Sequence, residues 1–592
     1  MFKKRFTYLL LIFIIICFMF FGSGCNKQDT PEQVQNNFDA FMNTLFVEAV
    51  QSDTLSLNYA LASPEKYGIA YNETTLGEYS TEHMSKQLFL SENYLGRLNS
   101  YDYNLLTPKQ QLTYNVVKSY LEQDLDFGNY LYYNECLGPT TGVQAQLPIL
   151  LAEYGFYDRA DIDRYIELLS CVYGYFEDIA QFEREKSKKG LFMSDSVAAG
   201  IINQCKAFID TPEDNFLISY FNDKISNYKG LTDEEIAAYQ TANKKAILNE
   251  VIPAYEMLID VLSELKGSGT NASGLYCYPE GQAFYECLVK YKTGSDKSMG
   301  EMVDLLEDAI GDGILKITTL SLTDAALMDK YLSFTSFPIT DPADILTDLK
   351  KDITKDFPKA VPVNCEIKYI HDSLSEYLSP AMYLVPPLDN YIDNNIYING
   401  SDKSTLSLIY TTVAHEGYPG HLYQCVYFRH QKPAPIRNVM NFLGYDEGWA
   451  TYVELYSYHL AGIDENLADF LEANNVVILC MYARADIGIQ YEGWTKEDVV
   501  NYIMNFISNK ELAEKIYATL LEEPAIYLPY AVGYLEIMEM REKAENVLEE
   551  KFVAKDFNEF LLDIGPAPFG VINNYLDLWL KKKTEGYYTF SF

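Results

Sequence analysis

The stretch TTVAHEGYPGHLYQ, residues 411–424, governs how the rest of the chain is read. His415 and Glu416 are adjacent, as in a helix that offers a histidine to a metal and a carboxylate to the water beside it. In such a helix the second histidine stands four residues on, where a turn of about 100° per residue returns it to the same face. Here that position is Pro419, and the next histidine is His421, six residues after the first. On an unbroken helix six residues amount to a net rotation of about 240°, which aims the rings apart. The residues between are Gly417, Tyr418, Pro419 and Gly420. Proline removes a backbone donor and clashes with the preceding turn, while glycine admits dihedrals closed to other residues. The segment that violates the spacing thus contains what is needed to bend the helix.

A catalytic zinc site takes three protein ligands and leaves one position for water. Downstream, NFLGYDEGWATYVELYSY places Glu447, 26 residues after His421, near the start of an apolar-periodic helix. Its carboxylate would complete a His₂Glu set, which favours zinc, with Glu416 beside it as general base. The chain has six histidines in all, so a histidine-rich accident explains little. On these residues alone, a metal site and a chance His-Glu near an unrelated histidine both stay open.

The 592 residues exceed one ordinary core, so at least two lobes are expected. With 84 acidic against 46 basic residues, a nucleic-acid partner is excluded, since phosphate binding needs clustered Lys and Arg. At the N-terminus, Lys3, Lys4 and Arg5 precede FTYLLLIFIIICFMFF and then Gly-Ser-Gly-Cys. A charged start, an apolar middle and small residues form a secretory signal. Small residues before Cys25 resemble a bacterial lipobox, although Gly22 stands where that box more often has Leu. The expectation is a signal peptide over 1–24, lipidation of Cys25, a polar tether over 25–35, and a protein held on the membrane outside the cytoplasm. An uncleaved anchor is the alternative. Ten cysteines show no CxxC pair, so a zinc ribbon is not indicated.

Helical periodicity dominates. In DIDRYIELLSCVYGYFEDIAQFERE, apolar residues at 162, 165, 166, 169, 172, 176 and 179 make one stripe. Similar stripes run through 31–62, 232–266, 298–311 and 465–482, and Asp341 with Pro342 reads as a helix start. Two short β-prone pieces, AMYLV and NIYIN, precede the His-Glu segment. The expected fold is mainly α, with a small sheet beside the active-site helix. A helical N-terminal lobe over 36–270 would join a catalytic lobe over 271–592, the helical lobes enclosing a cleft.

HEGYPGHLYQ followed by DEGWATY resembles the DUF885 family of bacterial proteins, grouped with zincin-like metallopeptidases of the peptidase MA clan. His415, Glu416, Pro419, Gly420, His421 and Gln424 match its first motif; Glu447, Gly448, Trp449, Ala450 and Tyr452 match its second. Further stretches agree: AMYLVPPLDNYIDNNIYIN, GLYCYPEGQAFYECLVKYKTGSDKS, ARADIGIQYEGWTKEDVVNYI, and PAIYLPYAVGYLEIMEMR with Pro524, Tyr530, Gly533 and Arg541. Gln490 departs from the pattern, standing where many relatives have His. The likeness runs through most of the chain after about residue 135. It implies Zn²⁺ on His415, His421 and Glu447, Glu416 as catalytic base and Tyr530 as donor to the developing oxyanion. Arg484, Asp486 and Arg541 would serve the substrate or support the site, or form structural ion pairs. The strand from Ile396 to Asn399 would pair with the substrate backbone.

The function expected is zinc-dependent hydrolysis of short peptides outside the cytoplasm, with Arg541 or Arg484 as the cation a carboxypeptidase needs. Hydrolysis of another amide or ester, and a non-catalytic peptide-binding lipoprotein, are the alternatives.

Overall fold

Residues three and four apart along most of the chain are apolar, and the computed structural model is accordingly built mainly from helices. Residues 30–271, 273–370, 379–401 and 403–586 are described; the expected signal peptide, Cys25 and the first part of the tether lie outside them. No helix among the described residues is long and apolar enough to cross a membrane.

The first stripe breaks where the sequence offers a new cap. Helix α1 (Pro31–Val50) is followed by α2 (Thr54–Ala60), because the Asp53 side chain accepts the Ser56 N–H and starts a second helix. The longest stripe forms α3 (Arg159–Lys188), burying Ile162, Tyr165, Leu169, Val172, Phe176 and Ile179. The stripe over 232–266 is one helical path with a widened turn at Ile247–Val251. That turn lies ahead of α4 (Ile252–Leu265), where Pro253 cannot donate.

Two large apolar clusters run through the chain. Phe38, Phe41 and Phe46 of α1, with Val116 and Leu121, belong to one core with Tyr410, Leu422 and Trp449. Residues between Leu137 and Leu262 make a second cluster around α3 and α4. The N-terminal helices thus pack into the half that carries the HE motif, and the separate helical unit begins later.

The sheet has three strands, β1 (Asn364–Tyr369), β2 (Ala381–Leu384) and β3 (Asp393–Ile398), in the order β1-β3-β2. β3 runs parallel to β1, Ile396 opposite Ile367, and antiparallel to β2, Ile396 opposite Tyr383. This corrects the expectation for Ile396–Asn399: β3 is the central strand with both edges taken, and β2 is the edge that faces the motif helices. The eight described cysteines are all free.

Among the further helices, those that build or brace the site are α5 (Met299–Thr323), α6 (Tyr410–Glu416), α7 (His421–His430), α8 (Leu443–Ser457), α9 (Glu465–Ile487) and α10 (Leu528–Leu548).

Candidate metal centre and active site

The break between the histidines takes the form their sequence anticipates. α6 ends at Glu416 and α7 begins at His421, with a cis peptide between Tyr418 and Pro419. A side chain at Gly420 would place its Cβ 1.8 Å from the His415 carbonyl, so only glycine allows this close return of the chain. The Trp449 indole N–H donates to the Pro419 carbonyl at 2.9 Å, tying the second motif to the bend in the first.

The bend brings the rings together. His415 and His421 have centroids 4.8 Å apart with planes at 83°. Glu447, in the first turns of α8, places Oε2 3.5 Å from His415 Nε2 and 3.6 Å from His421 Nε2. One donor atom from each of the three lies within 4.8 Å of the others. Glu447 Oε2 is buried without a hydrogen-bond partner. His415 Nδ1 is engaged with Glu454 Oε2 at 2.9 Å, which leaves its Nε2 facing the carboxylate. Three converging lone pairs with one orphaned oxygen fit a divalent cation, and the residue types are those zinc takes. Burial opposes charge on His415, yet the nearby carboxylates of Glu447 and Glu454 raise its pKa well above the ordinary histidine value. Burial likewise opposes ionisation of Glu447, but the two imidazoles hold its carboxyl well below the usual range. The pocket therefore calls for positive charge at its centre.

Glu416 lies beside the trio rather than in it. Its Oε2 accepts the Tyr383 backbone N–H of edge strand β2 at 2.7 Å, and burial raises its pKa. Tyr530 reaches the same spot from α10. Its ring lies parallel to His415 with centroids 6.4 Å apart, and burial, with Glu447 and Glu416 nearby, keeps the phenol protonated. The approach of α10 to α8 depends on two glycines: a Cβ on Gly533 would meet the Gly444 carbonyl at 2.1 Å, and one on Gly448 would meet the Gly533 backbone at 2.5 Å. These crossing glycines explain why both motifs contain a glycine next to a functional residue.

The other predicted residues are engaged elsewhere. Arg484 pairs with Glu307 of α5 at 2.9 Å and with Glu492 at 3.0 Å, its guanidinium 4.6 Å over Trp494. Asp486 is fully buried and takes the Tyr285 hydroxyl and the Ala525 N–H, holding the turn that precedes α10. Arg541 donates to the Tyr452 hydroxyl at 2.8 Å and to Glu545 at 2.9 Å, and stands about 16 Å along α10 from Tyr530. Asn399 accepts from Ser401 at the end of β3. Gln490 is a buried bridge, accepting from the Leu275 N–H and donating to the Leu520 carbonyl, both at 2.7 Å. Two residues of the site were missed by the sequence reading. Glu454 follows Glu447 by seven residues, two turns on the same helix face, which is a readable signal. Tyr383 acts through its main chain, which leaves no mark in the sequence.

A cavity of about 310 Å³ opens beside the trio, lined by His421, Glu447, Tyr383, Gln424 and Arg437 among others. A second, of about 490 Å³, shares Tyr383, Val385, Arg429 and Asn438 with the first and reaches Val50 and Tyr59 of the N-terminal helices.

The family model described as "Bacterial protein of unknown function (DUF885)" matches residues 63–312 and 330–576, and the chain belongs to that family. The crystal structure of a protein from Colwellia psychrerythraea, provisionally described as a lipoprotein, is similar over 93% of this chain and 99% of that one, with 18% identity and a TM-score of 0.82. One from Shewanella oneidensis, provisionally described as a lipoprotein of unknown function, is similar over 93% and 100%, with 16% identity and a TM-score of 0.61. No curated protein matches the sequence.

Proposed function

We propose that the protein is a zincin-like, zinc-dependent peptidase acting on short peptides outside the cytoplasm. The observation that carries this reading is the orphaned, buried Glu447 Oε2 facing His415 Nε2 and His421 Nε2, with Glu416 directly beside them. A zinc ion held by His415, His421 and Glu447 would lower the pKa of its water and polarise the scissile carbonyl. Glu416, fixed by the Tyr383 N–H, takes the proton of the attacking water and passes it to the leaving amine. Tyr530, kept protonated, donates a hydrogen bond to the oxygen on which negative charge develops. Glu454 holds His415 in the tautomer whose Nε2 faces Glu447. The two joined cavities form the substrate cleft, with the outer edge of β2 along one wall. Cleavage before Cys25 and its lipidation place the enzyme on the outer membrane face, in keeping with the lipoprotein descriptions of its structural relatives.

The test uses the chain beginning after Cys25, loaded with zinc and incubated with a mixed peptide library, products being read by mass spectrometry. Wild type cuts, chelation stops it, and Glu416→Gln lowers the rate by about 10²–10⁴-fold while keeping its zinc. Bound zinc with no cleavage of any peptide moves the reading to another amide or ester, or to a binder. Cleavage undiminished in Glu416→Gln removes Glu416 from the mechanism.

A further inference from the structure

The cavity beside the trio, which Asp446 and Glu447 also line, contains two arginines that pair with no carboxylate among the described residues. Arg429 and Arg437 both line it, and their hydrogen bonds go to main-chain carbonyls: Arg429 to Pro386 and Pro387, Arg437 to Ile564 and Pro566. Neither makes an ion pair among the described residues, in a chain with 84 acids and a net charge of −38. Both are buried, at 9% and 2% exposure. Arg437 Nε has no hydrogen-bond partner, and the guanidinium stands 5.4 Å over the Phe428 ring. Burial lowers the Arg437 pKa only to about 10, so it keeps its charge at neutral pH. A desolvated cation with no counter-charge is costly, and an arriving anion relieves that cost. This contrasts with Arg484 and Arg541, whose guanidiniums are already paired with carboxylates.

The position of the two arginines says which part of a substrate they meet. His421, Gln424, Cys425, Phe428 and Arg429 form one cavity-facing stripe of α7. Arg429 follows His421 by eight residues, about 12 Å along the axis. Its side chain leans back toward the helix start, which shortens that distance. Its bond to the Pro386 carbonyl, 2.6 Å long, fixes the guanidinium just past the end of β2. An extended peptide advances about 3.3 Å per residue, so a group within about four residues of the bond cut spans that distance. Asn438, which lines both cavities, keeps a buried Oδ1 with no hydrogen-bond partner.

We propose that Arg429 and Arg437 form a carboxylate-binding subsite, by which the enzyme selects peptides bearing a carboxylate within about four residues of the scissile bond. The inference rests on the peptidase reading above. The planar guanidinium fork matches a carboxylate, whether it is the peptide's own C-terminus or an Asp or Glu side chain.

The experiment uses one neutral peptide scaffold in four versions: C-terminal acid or amide, each with Glu or Gln near the bond cut. Binding to the zinc-loaded Glu416→Gln chain is measured by calorimetry, and cleavage by wild type is measured in parallel. Peptides with the recognised carboxylate bind about 10- to 100-fold more tightly, the range expected for hydrogen bonds to a charged group. Preference for the acid over the amide assigns the C-terminus, and preference for Glu over Gln assigns the side chain. Arg429→Gln and Arg437→Met remove the preference, while Arg429→Lys, which keeps charge but loses the fork, retains part of it. The wild-type ratio needs no variant, so misfolding of any variant leaves the test intact. Equal binding and cleavage of all four versions overturns the subsite and leaves the peptidase standing. Neither binding nor cleavage of any version overturns both.

Discussion

The trio His415, His421 and Glu447 and the trio Glu135, Cys136 and Glu183 both bring three metal-donor side chains within 4.8 Å, and they differ in what stands beside them. Against the second trio lies Lys186, whose ammonium bonds Glu135 and the Asn134 carbonyl and sits 3.4 Å from Glu183. Burial opposes the charge of Lys186, but Glu135 and Glu183 raise its pKa above the ordinary lysine value. That cluster supplies its own cation. No lysine or arginine pairs with the first trio among the described residues, and a glutamate and a tyrosine wait alongside. A third group, His459, Asp469 and Glu472, is answered by Lys316 at 2.8 Å from both carboxylates. Donor type and distance are therefore shared by three places, and the missing internal cation singles out one.

This contrast can be broken from either side. Lys186→Met strands the buried Glu183 and takes the cation from the partly exposed Glu135, so unfolding in denaturant is expected to lose about 3 kcal/mol of stability, with zinc content unchanged. An unchanged midpoint would mean that the second cluster does not depend on its lysine. At the first trio, Tyr530→Phe removes a donor but no ligand. Turnover should fall by about 10²–10³-fold at constant zinc and constant stability, and a kcat within threefold of wild type would take Tyr530 out of the chemistry. Glu454→Gln leaves the three ligands intact but weakens their orientation. Zinc affinity should drop about 10–100-fold by competition with a chelating dye.

The smallest effect is expected at the third cluster. Hydrogen bonding to Glu472, opposed by burial and aided by Glu465, raises the His459 pKa to about 9. Because the folded chain binds this proton more tightly than the unfolded one, the stabilisation is complete below about pH 6.5. It is lost as the pH rises to about 9. On a partly exposed pair it is worth less than about 1 kcal/mol, and His459→Gln should flatten stability across that window. An unaltered pH profile in the variant would remove His459 from the balance.

How much of this was legible beforehand depended on whether a residue acts by type or by partner. The proposed ligands and Glu416 carry their type in the two motifs, Tyr530 in the later Pro-Tyr-Gly block, and the Gly-Tyr-Pro-Gly insert announced the bend that reunites the histidines. The helical stripes were equally open, since spacing of apolar residues is enough for them. Strand β1, NCEIKY, was not visible, because most of its residues are exposed and it holds its place by pairing with β3. The same pairing makes β3 central and hands the free edge to β2. Arg484 and Arg541 looked available because a sequence shows charge and not the partner that consumes it. Arg429 and Arg437 went unremarked because only the fold shows that they pair with no carboxylate among the described residues. Glycines 448 and 533 appeared as motif letters, and their reason is a helix crossing between segments 85 residues apart.

The central claim is most directly tested by zinc titration calorimetry on the chain beginning after Cys25, beside His421→Ala and Cys136→Ser. The account predicts one zinc per chain in wild type and in Cys136→Ser, and none at comparable affinity in His421→Ala. Undiminished binding in His421→Ala, or loss of binding in Cys136→Ser, would contradict it.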